Sequence, residues 1–166
     1  MPSVTVAADD PARADVRALA ARHLAFARAH TPAEAVFALD QGGWADPLLT
    51  LVTARRDGLL LGMGAVRDLG AGHGELKSMH TVDAARGHGV GTAIVTHLLE
   101  LARALGWVRV SLETGAGEAF RPARTLYERC GFVRCGAFGD YLDNGTSVFM
   151  TRAVGAADDA EAREQK

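Results

Sequence analysis

The segment from Arg86 to Thr92, with the sequence Arg-Gly-His-Gly-Val-Gly-Thr, offers the most distinctive chemistry in the chain. Three glycines in five residues let the backbone approach a ligand closely and adopt φ angles that side chains would forbid. The segment opens a predicted helix, so its N–H groups lie at the positive end of the helix dipole. Such an arrangement is typical of a phosphate or pyrophosphate site, although a tight packing turn has the same composition.

Two nucleotide-binding patterns fit this segment poorly. The phosphate loop of NTPases ends in Gly-Lys-Ser/Thr, whereas Gly91 is followed directly by Thr92. The dinucleotide fingerprint G-x-G-x-x-G requires a wider final spacing than Gly87, Gly89 and Gly91 provide. The pattern R/Q-x-x-G-x-G/A of acyl-CoA-binding loops is met, by Arg86, Gly89 and Gly91.

Further segments agree, in order, with one family that carries this loop. Residues 75–81 are similar to its fourth strand, residues 111–114 to its fifth, and residues 123–132 to its A-x-x-L-Y-x-x-x-G-F segment. The sequence therefore resembles the GNAT (GCN5-related) N-acetyltransferase superfamily, from about Gly74 to Arg152 and through the β-α-β-β start. It is most similar to a bacterial branch of small acetyltransferases, some of them labelled as acting on indole-3-acetic acid.

The resemblance implies acetyl-CoA as co-substrate. No metal is expected, because no cluster of His, Cys and carboxylate residues has metal-ligand spacing. Amides of the glycine-rich segment would hold the pyrophosphate, and the backbone around Met79 and Thr81 would pair with the pantetheine arm where the fourth and fifth strands splay apart. The cofactor-binding residues implied in this way are Met79, His80, Thr81, Arg86, Gly87, His88, Gly89, Val90, Gly91 and Thr92.

Acetyl transfer to an amine needs an unprotonated nucleophile, and a lysine-like amine with a pKa near 10.4 is almost wholly protonated at pH 7. A general base is therefore worth about 10²–10⁴ in rate. The resemblance points to Glu75, four residues before Met79, as that base. Strand alternation predicts that Glu75, Lys77 and Met79 share one face, with Leu76, Ser78 and His80 on the other. The alternative is that Glu75 merely pairs with Lys77 or an arginine.

Glu113 is the second candidate base, although many relatives have Asn near this position, so Glu113 and Thr114 are also expected to shape substrate choice. Tyr127 stands at the tyrosine that many relatives use to protonate the departing thiolate, and a phenol near pKa 10 is available as a donor at pH 7. Core packing alone is the alternative for Tyr127. A backbone N–H near His80 or Thr81 would meet the developing oxyanion.

The function predicted from this resemblance is N-acetylation of a small-molecule or amino-acid-like amine. One alternative is acetylation of a protein amine in a groove walled by residues 31–46 and 139–146. The other is an acyl-CoA-binding sensor that has lost turnover. Retention of Glu75 together with Tyr127 favours an enzyme.

The elements that must position these residues are read from local patterns. Asp10-Pro11 predicts a helix start, with the helix running to about His30, and residues 31–46 predict a loop with at most one short helix. Two apolar runs flank Asp57-Gly58, which predicts a tight hairpin. The remaining periodicities give further strands and two helices, and hence a mixed sheet covered by helices. The resemblance implies an α/β (α+β) GNAT fold, with a mixed central sheet of about six to seven strands and helices on both faces.

Residues 1–154 are predicted to form one domain and residues 155–166 a flexible tail. The net charge of −2 lies in that tail, so the neutral body gives no electrostatic sign of nucleic acid or membrane binding. The longest apolar run, Leu59 to Val66, is too short to span a bilayer, and no basic-then-apolar leader is seen, so a cytoplasmic protein is predicted.

The remaining reactive side chains give little sign of chemistry. Cys130 and Cys135 have neither disulfide-framework nor zinc spacing, and His23, His30 and His97 are interpreted as ordinary helix positions. Family members often dimerise through late strands, so the apolar run Val148-Phe149-Met150 is expected to serve either the core or a homodimer interface.

Overall fold

The computed structural model describes residues 3–155, and within them seven strands form one sheet with three α-helices packed on it. The elements in chain order are β1 (Thr5–Ala8), α1 (Ala14–His30), β2 (Leu49–Arg56), β3 (Leu59–Asp68), β4 (His73–Thr81), α2 (Val90–Ala104), β5 (Arg109–Gly115), α3 (Arg121–Arg129), β6 (Val133–Cys135) and β7 (Ser147–Ala153).

The sheet order is β1-β2-β3-β4-β5-β7-β6, and every neighbouring pair is antiparallel except β4 and β5. The predicted hairpin is confirmed: Asp57 and Gly58 have φ values of 51° and 79°, which a two-residue turn with the right-handed strand twist requires. The β4-α2-β5 crossover supplies the parallel pair. The predicted mixed sheet of six to seven strands is therefore confirmed.

Two apolar layers lie on opposite faces of the sheet. On one face, Val16 and Leu19 of α1 pack against Leu51 and Met63. On the other, α2 and α3 cover a larger cluster of buried residues. Neighbouring residues of β2 fall into different clusters, Leu51 in the first and Val52 in the second, because successive strand side chains point to opposite faces. The prediction of helices on both faces is confirmed.

The parallel pair β4–β5 separates part-way along its length. Pairing runs from His73 opposite Arg109 to Leu76 opposite Leu112 and then ends. Beyond that point β4 continues to Thr81 alongside β3, and β5 continues to Gly115 alongside β7. The two strands thus leave a gap in the middle of the sheet, and the backbone of each borders it.

A β-bulge in β4 changes which side chains face which helix. The register with β3 shifts between Met63 and Ala65, and Ser78 has a φ of 57°. As a result Met79 packs in the α2-side cluster, while His80 contacts His23 of α1. The predictions that Met79 shares a face with Glu75 and that His80 lies on the opposite face are both wrong, because the alternation rule does not anticipate a bulge.

Several boundaries also differ from the sequence prediction. The first helix begins at Ala14 rather than at Asp10-Pro11, because the Asp10 carboxylate accepts a hydrogen bond from the Ala12 N–H at 2.8 Å and closes a turn ahead of the helix. The predicted loop holds two short 3₁₀ turns, Ala33–Ala35 and Gly43–Ala45, rather than at most one helix.

The structure also bears on the predictions for the C-terminal part of the chain and for membrane spanning. The predicted tail, apart from Gly155, lies outside the described residues. Val148, Phe149 and Met150 are buried within this chain, so they serve its core. In the described part of the chain, no helix is long and apolar enough to cross a membrane.

Candidate active site

A cleft of about 470 Å³ occupies the gap between β4 and β5. Its walls include the end of α1, residues 31–38, the start of α2 and the inner side of α3. The cleft passes through the sheet, because Glu75 and Glu113 lie on the α1 face while Tyr127 belongs to the α2-side cluster.

The structure brings nearly all of the predicted site residues to this cleft. Those that line it are Glu75, Met79, His80, Thr81, Arg86, Gly87, Gly89, Val90, Gly91, Thr92, Glu113, Thr114 and Tyr127. His88 is the exception: its side chain is exposed and does not line the cleft. Gly87 and Gly89, on either side of it, face the cleft with their backbone.

The three glycines at the start of α2 are required for different structural reasons. Gly87 and Gly89 have φ values of 77° and 80°, in the left-handed region that other residues avoid. Gly91 lies in the first turn of α2, where a Cβ atom would come within 2.8 Å of the Leu126 side chain. Its lack of a side chain therefore lets α3 approach the N-terminus of α2. The amides of this N-terminus border the cleft and favour a bound anion.

Glu75 is 5% exposed and has two partners at one carboxylate oxygen. The Tyr141 hydroxyl donates a short hydrogen bond to Oε2, and Lys77 Nζ lies 3.5 Å from the same atom. Lys77 also donates to the Tyr141 hydroxyl at 3.2 Å. The ion pair with Lys77, which was the alternative to a catalytic role for Glu75, is thus present. Both contacts use Oε2, so Oε1 is the oxygen left to accept a proton.

Glu113 lies on the same face of the sheet as Glu75, one position beyond Leu112, where the pairing of β5 with β4 ends. Ser147 donates a hydrogen bond of 2.7 Å to its Oε2. Burial raises the pKa of the Glu113 carboxyl, and this outweighs the lowering by the Ser147 hydrogen bond and by Lys77. A carboxyl group with a raised pKa is suited to exchanging a proton with an amine near neutral pH.

Tyr127 enters the cleft from α3. Its ring packs edge-on against Phe132, with the centroids 6.1 Å apart. Burial raises the pKa of its hydroxyl, and the nearby charge of Glu113 raises it further, so the phenol stays protonated at neutral pH. The side chain also lines the cleft. The core-packing alternative and a donor role are both compatible with this placement.

A histidine pair forms part of the α1-side wall. His23 Nδ1 and His80 Nδ1 are 3.0 Å apart, a hydrogen bond in which one neutral ring donates to the other. Burial, then the charges of His80 and Lys77, lower the pKa of His23 to about 4. Burial also lowers the pKa of His80. Both rings are therefore neutral at pH 7. Sequence interpretation missed His23, because a single histidine on a helix carries no distinguishing pattern.

Four partly buried aromatic residues also line the cleft, and the sequence did not mark them as site residues. Phe26 and Phe120 meet edge-on at 5.4 Å, and Phe37 and Tyr141 do so at 5.0 Å. We call the part of the cleft lined by Phe37, Glu75, Lys77, Glu113 and Tyr141 the acceptor end. Phe37 and Tyr141 belong to residues 31–46 and 139–146, which are the walls that the sequence predicts for a peptide groove. No local signal singles out these two side chains, because each segment is irregular.

The arrangement combines an anion-binding helix end, two strand edges with unpaired backbone and a set of groups that can exchange protons. Across residues 3–155, no group of three or more His, Cys, Asp or Glu side chains is arranged to hold a metal ion, and both cysteines are free thiols.

The acetyltransferase (GNAT) family pattern matches residues 16–132 of this chain. An uncharacterised N-acetyltransferase of Bacillus subtilis (strain 168), YsnE, is 38% identical over 146 residues, which cover 88% of this chain and 97% of the relative. A protein of Azospirillum brasilense described as an IAA acetyltransferase is 35% identical over 155 residues, or 93% of this chain and all of the relative.

Solved structures show the same fold. A candidate acyl-CoA N-acyltransferase of Klebsiella pneumoniae superposes with a TM-score of 0.78 at 27% identity, covering 91% of this chain and 97% of its own. A Bacillus subtilis acetyltransferase solved in complex with CoA has a TM-score of 0.68 at 15% identity, covering 92% and 99%.

Proposed function

Since this chain belongs to the GNAT acetyltransferase family, we propose that it transfers an acetyl group from acetyl-CoA to the amine of a small molecule. The observation that carries the proposal is the cleft between β4 and β5, which places Glu75, Glu113 and Tyr127 around one opening beside a glycine-rich helix N-terminus. The co-substrate supplies the activated acetyl group as a thioester.

The residues present fit that co-substrate. The amides of Gly87 and Gly89 to Thr92 would hold the pyrophosphate at the N-terminus of α2, and Arg86 adds a positive charge at the rim. The backbone of Met79, His80 and Thr81 borders the gap that β5 leaves open and would pair with an extended pantetheine arm. His88 is left out of this set, because its side chain is exposed away from the cleft.

Glu75 is proposed as the base that takes a proton from the acceptor nitrogen. Tyr141 and Lys77 fix its Oε2, and Oε1 can accept the proton. Glu113, with its raised pKa, lies beside it and is proposed to bind the incoming ammonium and share its proton. Thr114 flanks the same position on β5. A base positioned in this way is worth about 10²–10⁴ in rate.

The neutral amine attacks the thioester carbon, so a C–N bond forms and the C–S bond breaks. The Tyr127 hydroxyl donates a proton to the departing sulfur and regains one that the nitrogen releases. A backbone N–H near His80 or Thr81 would stabilise the oxyanion. The substrate ammonium thus loses two protons in all. One passes through Tyr127 to the sulfur of the departing thiol, and the other passes through Glu75 to solvent.

Closure of the acceptor end supports a small-molecule acceptor over an extended peptide. The segment before β7 crosses this end, where the Tyr141 hydroxyl reaches Glu75 and the ring packs on Phe37 from the opposite wall. A peptide lying across the cleft would have to displace that contact. An acyl-CoA sensor without turnover is disfavoured by the presence of both an acid and a base candidate at the opening.

The test separates binding from turnover. Glu75→Gln and Tyr127→Phe should each lower the rate of thiol release at saturating acetyl-CoA by about 100-fold or more, while calorimetry gives an acetyl-CoA affinity within a few-fold of wild type. Thr96→Ser, on the outer part of α2 and outside the cleft lining, is the control. Unchanged turnover in both variants would reject the catalytic assignment.

The enzyme is taken to act in the bacterial cytoplasm, where the acetyl donor is made, and its relatives are bacterial proteins. Residues 1–154 are taken as one catalytic domain. A homodimer stays a prediction, and the run Val148-Phe149-Met150 does not support it, because these side chains are buried within the chain.

A further inference from the structure

We propose that the acceptor is a primary amine on an uncharged, apolar body of aromatic size, and that the enzyme discriminates against a carboxylate beside the amine. This inference rests on the proposed function and specifies its substrate class. It follows from the charges and the aromatic side chains at the acceptor end.

The charged groups at the acceptor end favour a cation. Two carboxylates, Glu75 and Glu113, lie there with one lysine, Lys77. Lys77 Nζ is already 3.5 Å from Glu75 Oε2 and 3.2 Å from the Tyr141 hydroxyl, and its side chain is 12% exposed. A substrate carboxylate would have to take Lys77 from Glu75 or lie against two carboxylates in a poorly solvated cleft. Both alternatives are unfavourable.

The rest of the lining favours an apolar body. Phe37 and Tyr141 meet edge-on at 5.0 Å, and Phe26 and Phe120 form a second edge-on pair at 5.4 Å. All four side chains are only partly buried and border the cleft. Aromatic faces bury apolar surface and attract a nearby ammonium.

The histidines beside the second aromatic pair do not restore a site for an anion. His30 packs on Phe26 with the ring centroids 4.4 Å apart, but it does not line the cleft, and its Nδ1 lies 2.8 Å from the Phe26 carbonyl oxygen. His23 and His80 do line the cleft, and these two imidazole rings are hydrogen-bonded to each other and uncharged at pH 7. The cleft of about 470 Å³ must also take the thioester end of the co-substrate. The acceptor body is therefore small, about the size of one ring system.

The experiment compares kcat/KM, by thiol release, for amines and the amino acids that differ from them by one carboxylate. The pairs are phenethylamine with phenylalanine, tryptamine with tryptophan, and isopentylamine with leucine. Spermidine serves as a cationic acceptor without an apolar body. We expect each amine to exceed its amino acid by at least about ten-fold, and the two aromatic amines to exceed spermidine.

A variant and its control test whether an aromatic side chain at the acceptor end binds the apolar body of the substrate. Phe37→Ala should raise KM for phenethylamine about ten-fold, the effect of one lost aromatic contact, and should raise the KM for methylamine, which has no apolar body to reach Phe37, clearly less. Leu39→Ala is the matched control, because Leu39 lies two residues further along the same loop but lines a different cavity.

The outcomes separate the inference from the proposed function. Equal or better use of the amino acids, preference for spermidine, or an equal effect of Phe37→Ala on phenethylamine and methylamine would overturn the inference. Acetyl-CoA binding without turnover of any panel amine would also overturn it. Failure to bind acetyl-CoA would instead overturn the proposed function.

Discussion

Removal of one oxygen atom, in Tyr127→Phe, isolates the proposed proton donor. The ring is 6% exposed and packs on Phe132, so phenylalanine keeps the apolar contacts of α3 with the core. The side chain lines the cleft, and removal of its hydroxyl leaves the ring packing in place. We therefore expect the free energy of unfolding to change by less than about 1 kcal/mol.

The effect on catalysis should be much larger. A single donor that stabilises developing negative charge is worth about 10²–10³ in rate, or roughly 3–4 kcal/mol in the activation free energy. Tyr127→Phe should lower kcat by about 100-fold and leave the acetyl-CoA affinity within about three-fold. Because burial raises the pKa of Tyr127, the wild-type enzyme should show no loss of kcat from this group between pH 7 and about 10.

The assay follows thiol release at saturating acetyl-CoA, with calorimetry for binding and urea unfolding for stability. An acetyl thioester whose thiol has a lower pKa than that of CoA releases its thiolate more readily and depends less on a proton from Tyr127. The loss of kcat in Tyr127→Phe should therefore be smaller with such a thioester than with acetyl-CoA. A kcat within two-fold of wild type would refute the role of Tyr127. An equal loss of kcat with acetyl-CoA and with the second thioester would refute proton donation by Tyr127 and leave only a packing role.

Three other changes test separate parts of the account. Glu75→Gln should lower kcat/KM by about 100-fold for amines, measured by thiol release, with acetyl-CoA binding retained. Gly91→Ala places a Cβ atom 2.8 Å from Leu126 and should weaken acetyl-CoA binding by calorimetry, whereas Gly117→Ala, with open space around its Cα, should not. Asp9→Asn should reduce the acid sensitivity of stability, measured by urea unfolding between pH 2 and 5.

The direction of the Asp9 effect follows from its partners. Burial raises its pKa, but hydrogen bonds from Thr53, the Asp10 N–H and Arg55 lower it more, from 3.8 to about 2. A carboxyl group with a lowered pKa in the folded state stabilises the protein above pH 4 and loses that contribution as the pH falls through 2. The wild type should therefore lose about 1–2 kcal/mol more than Asp9→Asn across this window. Parallel pH curves for the two proteins would contradict this.

Contradicting results for the other two changes are equally specific. Glu75→Gln with wild-type kcat/KM would remove Glu75 from the mechanism and leave Glu113 as the base. Equal acetyl-CoA affinity in Gly91→Ala and wild type would show that the approach of α3 to the N-terminus of α2 does not shape the cofactor site.

The sequence predicted those features that depend on short-range patterns. Asp57-Gly58 marks its turn through backbone conformation alone, and the spacing of Arg86, Gly89 and Gly91 marks the loop before α2. Both are local, so neighbouring residues suffice to identify them. The first helix start was misplaced because Asp10 satisfies a turn N–H instead of a helix N–H.

Features that arise from long-range packing could not be read in this way. The bulge at Ser78 depends on the register of β4 against β3, and it moves Met79 to the α2 side of the sheet. Tyr141 reaches Glu75 from 66 residues away along the chain, and His23 reaches His80 from 57. Such contacts exist only once the sheet and its helices have assembled. Local patterns in the sequence therefore could not predict them.

Calorimetric titration of acetyl-CoA, and of free CoA, into the wild-type protein tests the central claim most directly. The account predicts one saturable site with a dissociation constant on the order of 1–100 μM, in the usual range for enzyme substrates, and weaker binding in Gly91→Ala. No saturable binding of either ligand up to about 1 mM would contradict the assignment of the cleft between β4 and β5 as an acetyl-CoA site.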